Sequence, residues 1–142
     1  MNLVKHLLNR KGNKMVSVTP HISVREALRI MAENDIGSVV VIDNGLFEGI
    51  MTERDYSRKI ILMNRNSRDT QVSEIMSRNL PKVSPTDTIE YCMELMNNNH
   101  IRYLPVFEND QLTGIISISD LIKETVITQQ RTINQLEDYI RG

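Results

Sequence analysis

Apolar and polar positions alternate along this chain in blocks that change period every dozen residues or so. Leu3, Val4, Leu7 and Leu8 fall at helical spacing and Gly12 follows where a helix would stop, which predicts a short docking helix over residues 2–9. Met15–Val18 is a short extended run closed by Thr19-Pro20, because the residue before a proline is pushed out of helical geometry. Ser23 and Glu26 then form a capping-box pair ahead of Val24, Ala27, Leu28 and Met31, and that apolar stripe predicts a helix over 24–33. Ser38–Ile42 is a continuous β-branched run, too apolar for a one-sided strand and so expected to be buried on both faces. Asp43-Asn44-Gly45 supplies a hairpin turn to a second strand over 46–51. From Thr52 the pattern is helical to about Asn64, with Tyr56, Ile60 and Ile61 expected on one side. The polar run Arg65–Thr70 reads as a linker.

The whole pattern is then written again. A shift of 65 residues without a gap places Val18 on Val83, Pro20 on Pro85, Met31 on Met96, Asn34 on Asn99, Ile36 on Ile101, Val41 on Val106 and Asn44 on Asn109. Ile89, Cys92, Met93 and Met96 repeat the first helix stripe, and strands are expected over 103–107 and 112–117. Their turn, Glu108-Asn109-Asp110, lacks the glycine of the first copy, which points to a longer or different turn type. Val72–Met76 resembles Val4–Leu8 in its apolar placing, so the leading helix is duplicated out of strict register. A final helix is expected from near Ser119 to about Thr128, with Ile133, Leu136 and Ile140 marking a further amphipathic tail helix that packs on the N-terminal helix or on a partner chain. The expected organisation is residues 1–14 as docking helix, 15–64 and 80–128 as the two repeats, 65–79 as linker and leading helix, and 129–142 as tail.

Composition narrows the function classes. With 142 residues, two copies of about 55 residues each are small units that alone would be marginal. A net charge of −1 with scattered Lys and Arg gives no basic stripe for nucleic acid. No apolar run approaches the roughly 18 residues needed to span a bilayer, and residues 1–10 lack the pattern of a secretory signal, so the expectation is a cytoplasmic protein that engages neither membrane nor nucleic acid. The single Cys92, aligned with Ala27, reads as a small buried helix position.

Candidate chemistry sits at the end of each repeat, where Gly49-Ile50-Met51-Thr52-Glu53-Arg54-Asp55 is answered by Gly114-Ile115-Ile116-Ser117-Ile118-Ser119-Asp120. Thr52-x-x-Asp55 and Ser117-x-x-Asp120 fit a helix-starting capping box. They also fit an anion- and sugar-binding corner, because a strand ending at a helix N-terminus presents unpaired N–H groups while an aspartate accepts both hydroxyls of a ribose. Both readings stand at this level.

With the duplicated order strand, helix, strand, strand, helix and the two glycine-to-aspartate endings, the chain resembles a tandem pair of CBS domains over residues 16–128, most like small stand-alone bacterial proteins of this kind. The resemblance implies an α/β (α+β) fold of two β-α-β-β-α repeats related by pseudo-two-fold symmetry, with extra N- and C-terminal helices. It further implies a homodimer and adenosine-containing ligands in clefts between the repeats. Carried over by residue, it assigns Asp55 and Asp120 to ribose, with Thr52 and Ser117 as hydroxyl contacts. It places the adenine against Val18, Thr19, Ile36 and Ile50 in one copy and Val83, Ser84, Ile101 and Ile115 in the other. Arg54, Arg102 and Ser119 are the phosphate candidates, and because Arg54 answers Ser119 and Arg102 answers Gly37 the two copies are chemically unequal.

The expected function is therefore a non-catalytic regulatory sensor that binds an adenosine compound such as AMP, ADP, ATP, NADH or S-adenosylmethionine, requires no cofactor, and signals to an unknown effector protein. The alternative is a structural interaction or dimerisation module with no physiological nucleotide. An enzyme is disfavoured: His6, His21 and His100 are dispersed, and neither a nucleophile elbow nor a phosphate-binding Gly-rich loop occurs.

Overall fold

The computed structural model describes residues 2–12 and 15–141, so Met1, Asn13, Lys14 and Gly142, which end several of the expected segments, lie outside the described residues. In chain order the elements are α1 (Val4–Lys11), β1 (Ser17–Val18), α2 (Val24–Asn34), β2 (Ser38–Asp43), β3 (Leu46–Thr52), α3 (Glu53–Tyr56) continued by a π-helical turn (Ser57–Ile61), a 3-10 turn (Val72–Glu74), α4 (Ile89–Asn99), β4 (Tyr103–Glu108), β5 (Gln111–Ser117) and α5 (Ile118–Arg141). The chain divides into two compact units, one of residues 15–80 and one that joins the N-terminal helix to everything from Pro81 onward.

In the first unit β1 runs parallel to β2, and β2 pairs antiparallel with β3 from Ser38↔Thr52 to Asp43↔Leu46 with an irregularity after Val41. In the second, β4 and β5 pair from Tyr103↔Ser117 to Glu108↔Gln111 with the irregularity after Val106. Every one of these partners is the first unit's partner displaced by 65 residues, so the repeat reproduces the register and the bulge as well as the elements. Val83 makes a parallel bridge to Val106 where the first copy has β1.

The helices match the same displacement. α2 starts at Ser23, whose Oγ accepts from the Glu26 N–H at 3.1 Å. Only half of the expected capping box forms, because the Glu26 carboxylate is taken by Arg29, whose hydrogen bond also holds the Glu26 pKa below the usual carboxylate range. α2 and α4 each close on a left-handed residue, Asp35 and His100. Val24, Ala27 and Met31 pack with Val39, Val41 and Met51 in one core, and Ile89, Cys92 and Met96 pack with Leu104, Val106 and Ile116 in the other. Each of the Val, Leu, Ile and Met side chains contributes about 1.5–3 kcal/mol when taken out of water. Val39, Val40 and Val41 are all buried, as the continuous apolar run required.

Three expectations need correction. The second hairpin uses the same two-residue left-handed turn as the first, Asn109 and Asp110 at φ 52° and 63° against Asn44 and Gly45 at 51° and 80°; Asn and Asp tolerate the left-handed region that other side chains avoid. Ile61 is exposed while Ile60 is buried, since neighbouring residues on a helix do not share a face. The expected tail helix is no separate element, because α5 is one continuous helix of 24 residues. Residues 65–70 are also tied into the first unit, where the Thr70 and Ser67 carbonyls accept the Val24 and Arg25 N–H groups and satisfy orphan donors at the start of α2.

The duplication of the leading segment holds in its contacts rather than its conformation. Val4, Leu7 and Leu8 are buried in one unit, and Val72, Ile75 and Met76 in the other. The Val4 N–H donates to Asp87 O as the Val72 N–H donates to Ile22 O, and Lys5 to Pro85 O as Ser73 to Pro20 O. One segment is an eight-residue helix and the other a single 3-10 turn. The chain's first segment thus completes the second repeat, and the segment between the repeats completes the first.

Candidate functional site

The two strand-to-helix corners are built alike. In the second unit the Ser117 Oγ accepts from the Asp120 N–H at 3.1 Å, and the Asp120 Oδ2 accepts from the Ser117 N–H at 2.8 Å. In the first, Thr52 Oγ1 accepts from the Asp55 N–H at 3.0 Å and Asp55 Oδ2 from the Thr52 N–H at 3.0 Å. The Ile118 N–H donates to Arg102 O, and the Glu53 N–H donates to Gly37 O. Ile101 and Arg102 are thereby held beside the Ser117–Asp120 corner, as Ile36 and Gly37 are beside the Thr52–Asp55 corner. The capping-box reading is realised twice.

Beyond the cap, the corners differ. Asp55 also accepts from Thr52 Oγ1 at 3.1 Å, from Ser77 Oγ at 3.1 Å on Oδ1, and pairs with Lys59 Nζ at 3.0 Å. Three hydrogen bonds and an ion pair thus occupy both oxygens of the carboxylate, and the residue is buried. Asp120 receives Ser117 N–H and Lys11 Nζ, both on Oδ2, and its side chain is 23% exposed. Lys11 also donates to Ile115 O at 2.8 Å, so one ammonium ties the end of β5 to the start of α5.

The glycine that opens each motif is required by close approach. A Cβ on Gly49 would stand 2.5 Å from Ser77 O, and one on Gly114 would stand 2.9 Å from Leu8 Cδ2. In both units the strand is pressed against the segment that completes the repeat.

The other expected site residues are spread. Val18 and Val83 are buried in the strand pairing, Ile50 is buried, Ile36, Ile101 and Ile115 are half-buried, and Thr19 is exposed. The Ser84 N–H is taken by Asp87 Oδ2 at 2.7 Å, which commits that backbone to a turn. Arg54 is half-buried, while Arg102 and Ser119 are exposed. Lys11 and Lys59 were missed by the sequence reading. Neither lies in the repeated motif, and Lys11 reaches Asp120 from more than a hundred residues away. Among the described residues no cluster of His, Cys, Asp and Glu is disposed to hold a metal ion, and no helix is long and apolar enough to cross a membrane.

A two-fold strand, helix, hairpin, helix unit with a glycine-to-aspartate corner at each end defines a class, and comparison with known proteins identifies it. The CBS domain model matches residues 4–62 and 72–126, and the chain belongs to this family. It is 35% identical over 125 residues to the mitochondrial CBS domain-containing protein CBSX3 of Arabidopsis thaliana, covering 84% of this chain and 61% of that protein's length. Among solved structures, the CBS domain protein NE2398 superposes with a TM-score of 0.84 at 41% identity, over 89% of this chain and 99% of that one. The CBS domain pair of protein MJ0100, in complex with 5′-methylthioadenosine and S-adenosyl-L-methionine, shares the fold with a TM-score of 0.76 at 23% identity, over 87% of this chain and 94% of that one. CBS-pair proteins are generally regulatory, and the arabinose 5-phosphate isomerase KdsD of Francisella tularensis, 30% identical over 115 residues, matches this chain over 35% of its own length.

Proposed function

We propose that this chain is a non-catalytic sensor that takes an adenosine-containing nucleotide at the Ser117–Asp120 corner and, as a homodimer, passes its occupancy to an effector protein. The observation that carries the reading is the difference between the two aspartates. Asp120 is part-exposed with both of its contacts on one oxygen, which leaves acceptor capacity for a ribose diol. Asp55, already engaged by three hydrogen bonds and an ion pair, serves as the cap of α3. The MJ0100 pair, which shares the fold, binds two adenosine compounds, and this supports adenosine as the common element among AMP, ADP, ATP, NADH and S-adenosylmethionine.

Lys11 has a role in this reading. Its ammonium stands on Asp120 Oδ2 at 2.6 Å, beside the carboxylate oxygen that the ribose takes. That ammonium, joined by Arg102 and Ser119 at the same corner, is placed to meet an anionic phosphate carried by the ribose, since charge-assisted contacts are the stronger ones.

The test is a thermal-shift series with AMP, ATP, NADH and S-adenosylmethionine, using guanosine monophosphate as the base control. A ligand at a hundred times its dissociation constant adds about 2.7 kcal/mol of stability. Asp120→Ala is expected to lose about 1 kcal/mol as a cap and to abolish the ligand-induced shift, whereas Asp55→Ala loses stability and keeps the shift. Wild-type protein indifferent to all four ligands would refute the sensor and leave the interaction module, with both aspartates as caps.

A further inference from the structure

α5 carries a second apolar pattern that its own fold does not use. Ile122, Val126, Gln129, Ile133, Leu136 and Ile140 recur at spacings of four, three, four, three and four residues, the heptad seam of a coiled coil. The five apolar members are 47 to 82% exposed. The opposite side of the same helix is the one that packs within the unit: Leu121 is fully buried, Glu124 is buried against Arg10 at 3.0 Å, and the Thr128 hydroxyl accepts from Asn2 Nδ2 at 2.8 Å. Every residue from Thr128 to Arg141 is exposed. A free helical stretch of about a dozen residues is marginal in water, so its helicity calls for a partner. A stripe of two positions per heptad is narrower than the broad apolar face and basic flank that suit a lipid surface.

We propose that this seam pairs with the same seam of a second copy of the chain, the two α5 helices running antiparallel. It supplies the interface of the dimer in the functional reading above, rests on that reading for nothing else, and needs no nucleotide. The seam is self-complementary about its middle. An antiparallel pairing centred on Arg131 sets Ile122 against Ile140 of the second copy, Val126 against Leu136 and Gln129 against Ile133. In the flanking positions it sets Lys123 of each copy against Glu137 of the other, so that the ends of the seam are closed by opposite charges. A parallel pairing offers these flanks no charge pair and stacks Gln129 on itself.

The test is oligomeric state by sedimentation, with crosslinking to read orientation. The full chain is expected to dimerise, and Leu136→Glu, at an exposed site that should leave the melting transition of the folded units in place, raises the midpoint concentration at least about tenfold. Lys123→Glu weakens the dimer and Lys123→Glu with Glu137→Lys restores it. In a Cys92→Ala background, Gln130→Cys forms an intermolecular disulfide and Val126→Cys does not. A monomer, a dimer indifferent to Leu136→Glu, or crosslinking at Val126→Cys instead of Gln130→Cys would each overturn the proposal. None of these readouts depends on whether adenosine compounds bind, so the two hypotheses fail separately.

Discussion

Gly49 and Gly114 are the same letter of a repeated motif, yet they meet different neighbours. A methyl group at Gly49 runs into the Ser77 carbonyl, which is pinned by reciprocal hydrogen bonds between Ser77 and Ile50 at 2.8 and 3.1 Å. At Gly114 it meets only the end of the Leu8 side chain, which has rotamers to yield. Gly49→Ala is therefore expected to cost about 1–3 kcal/mol in denaturant unfolding, and Gly114→Ala clearly less. Cys92 is a second residue whose environment decides its chemistry. Burial, followed by the nearby Asp87 carboxylate, pushes its thiol up to about 12 from 9.0. Because the unfolded chain can then release this proton and the folded chain cannot, the contribution is intact below pH 9.0 and is lost as pH rises from there towards 12. Cys92→Ala, which copies Ala27, should flatten that alkaline loss of stability, and native Cys92 should resist alkylation at pH 8. Alkylation of the folded protein as fast as of the denatured protein would contradict the burial.

At the scale of elements, the second hairpin holds its turn with a non-glycine residue in the left-handed region. Asp110→Gly makes it the Asn-Gly turn of the first copy and should stabilise the protein by up to about 1 kcal/mol, the left-handed penalty relieved being partly offset by glycine's entropy. A thermal melt reads this directly, and destabilisation would mean that the Asp110 side chain is needed where it is. The docking of α1 on α5 turns on a buried carboxylate. Arg10 Nη2 stands 3.0 Å from Glu124 Oε1, but off the axis of its N–H bond, so that the pairing is one of charge without a hydrogen bond. Arg10→Ala leaves Glu124 buried and alone, and is expected to cost about 2 kcal/mol, less than a fully buried pair because Arg10 is one-third exposed. Arg10→Ala with Glu124→Leu should recover most of that loss, which a role confined to the Arg10 stem would not permit.

For the molecule as a whole, the first segment of the chain belongs to the last repeat. Val4, Leu7 and Leu8 lie in the same core as Leu104, Val106 and Ile116. Removal of residues 1–12 should therefore deprotect backbone amides in residues 81–127 under hydrogen exchange while leaving residues 15–64 close to their full-length protection. Equal loss in both units would contradict this assignment. The sensor and pairing experiments act at the same scale, one reading ligand-dependent stability and the other mass.

The sequence by itself determined the repeat and nearly all of its elements. Helix stripes, strand runs and turn residues are local patterns, and a local pattern repeated 65 residues on must fold alike twice, down to the bulges after Val41 and Val106. It also marked Thr52, Asp55, Ser117 and Asp120, because the capping box is local too. What it left to the tertiary structure depended on partners distant in sequence. Asp55 and Asp120 are identical letters, and only folding sets Ser77 and Lys59 on the one and Lys11 on the other. The continuity of α5 was hidden because the face that packs and the face that stays open interleave along the same residues. Local spacing fixes which side chains share a face, and only the assembled core decides what each face meets.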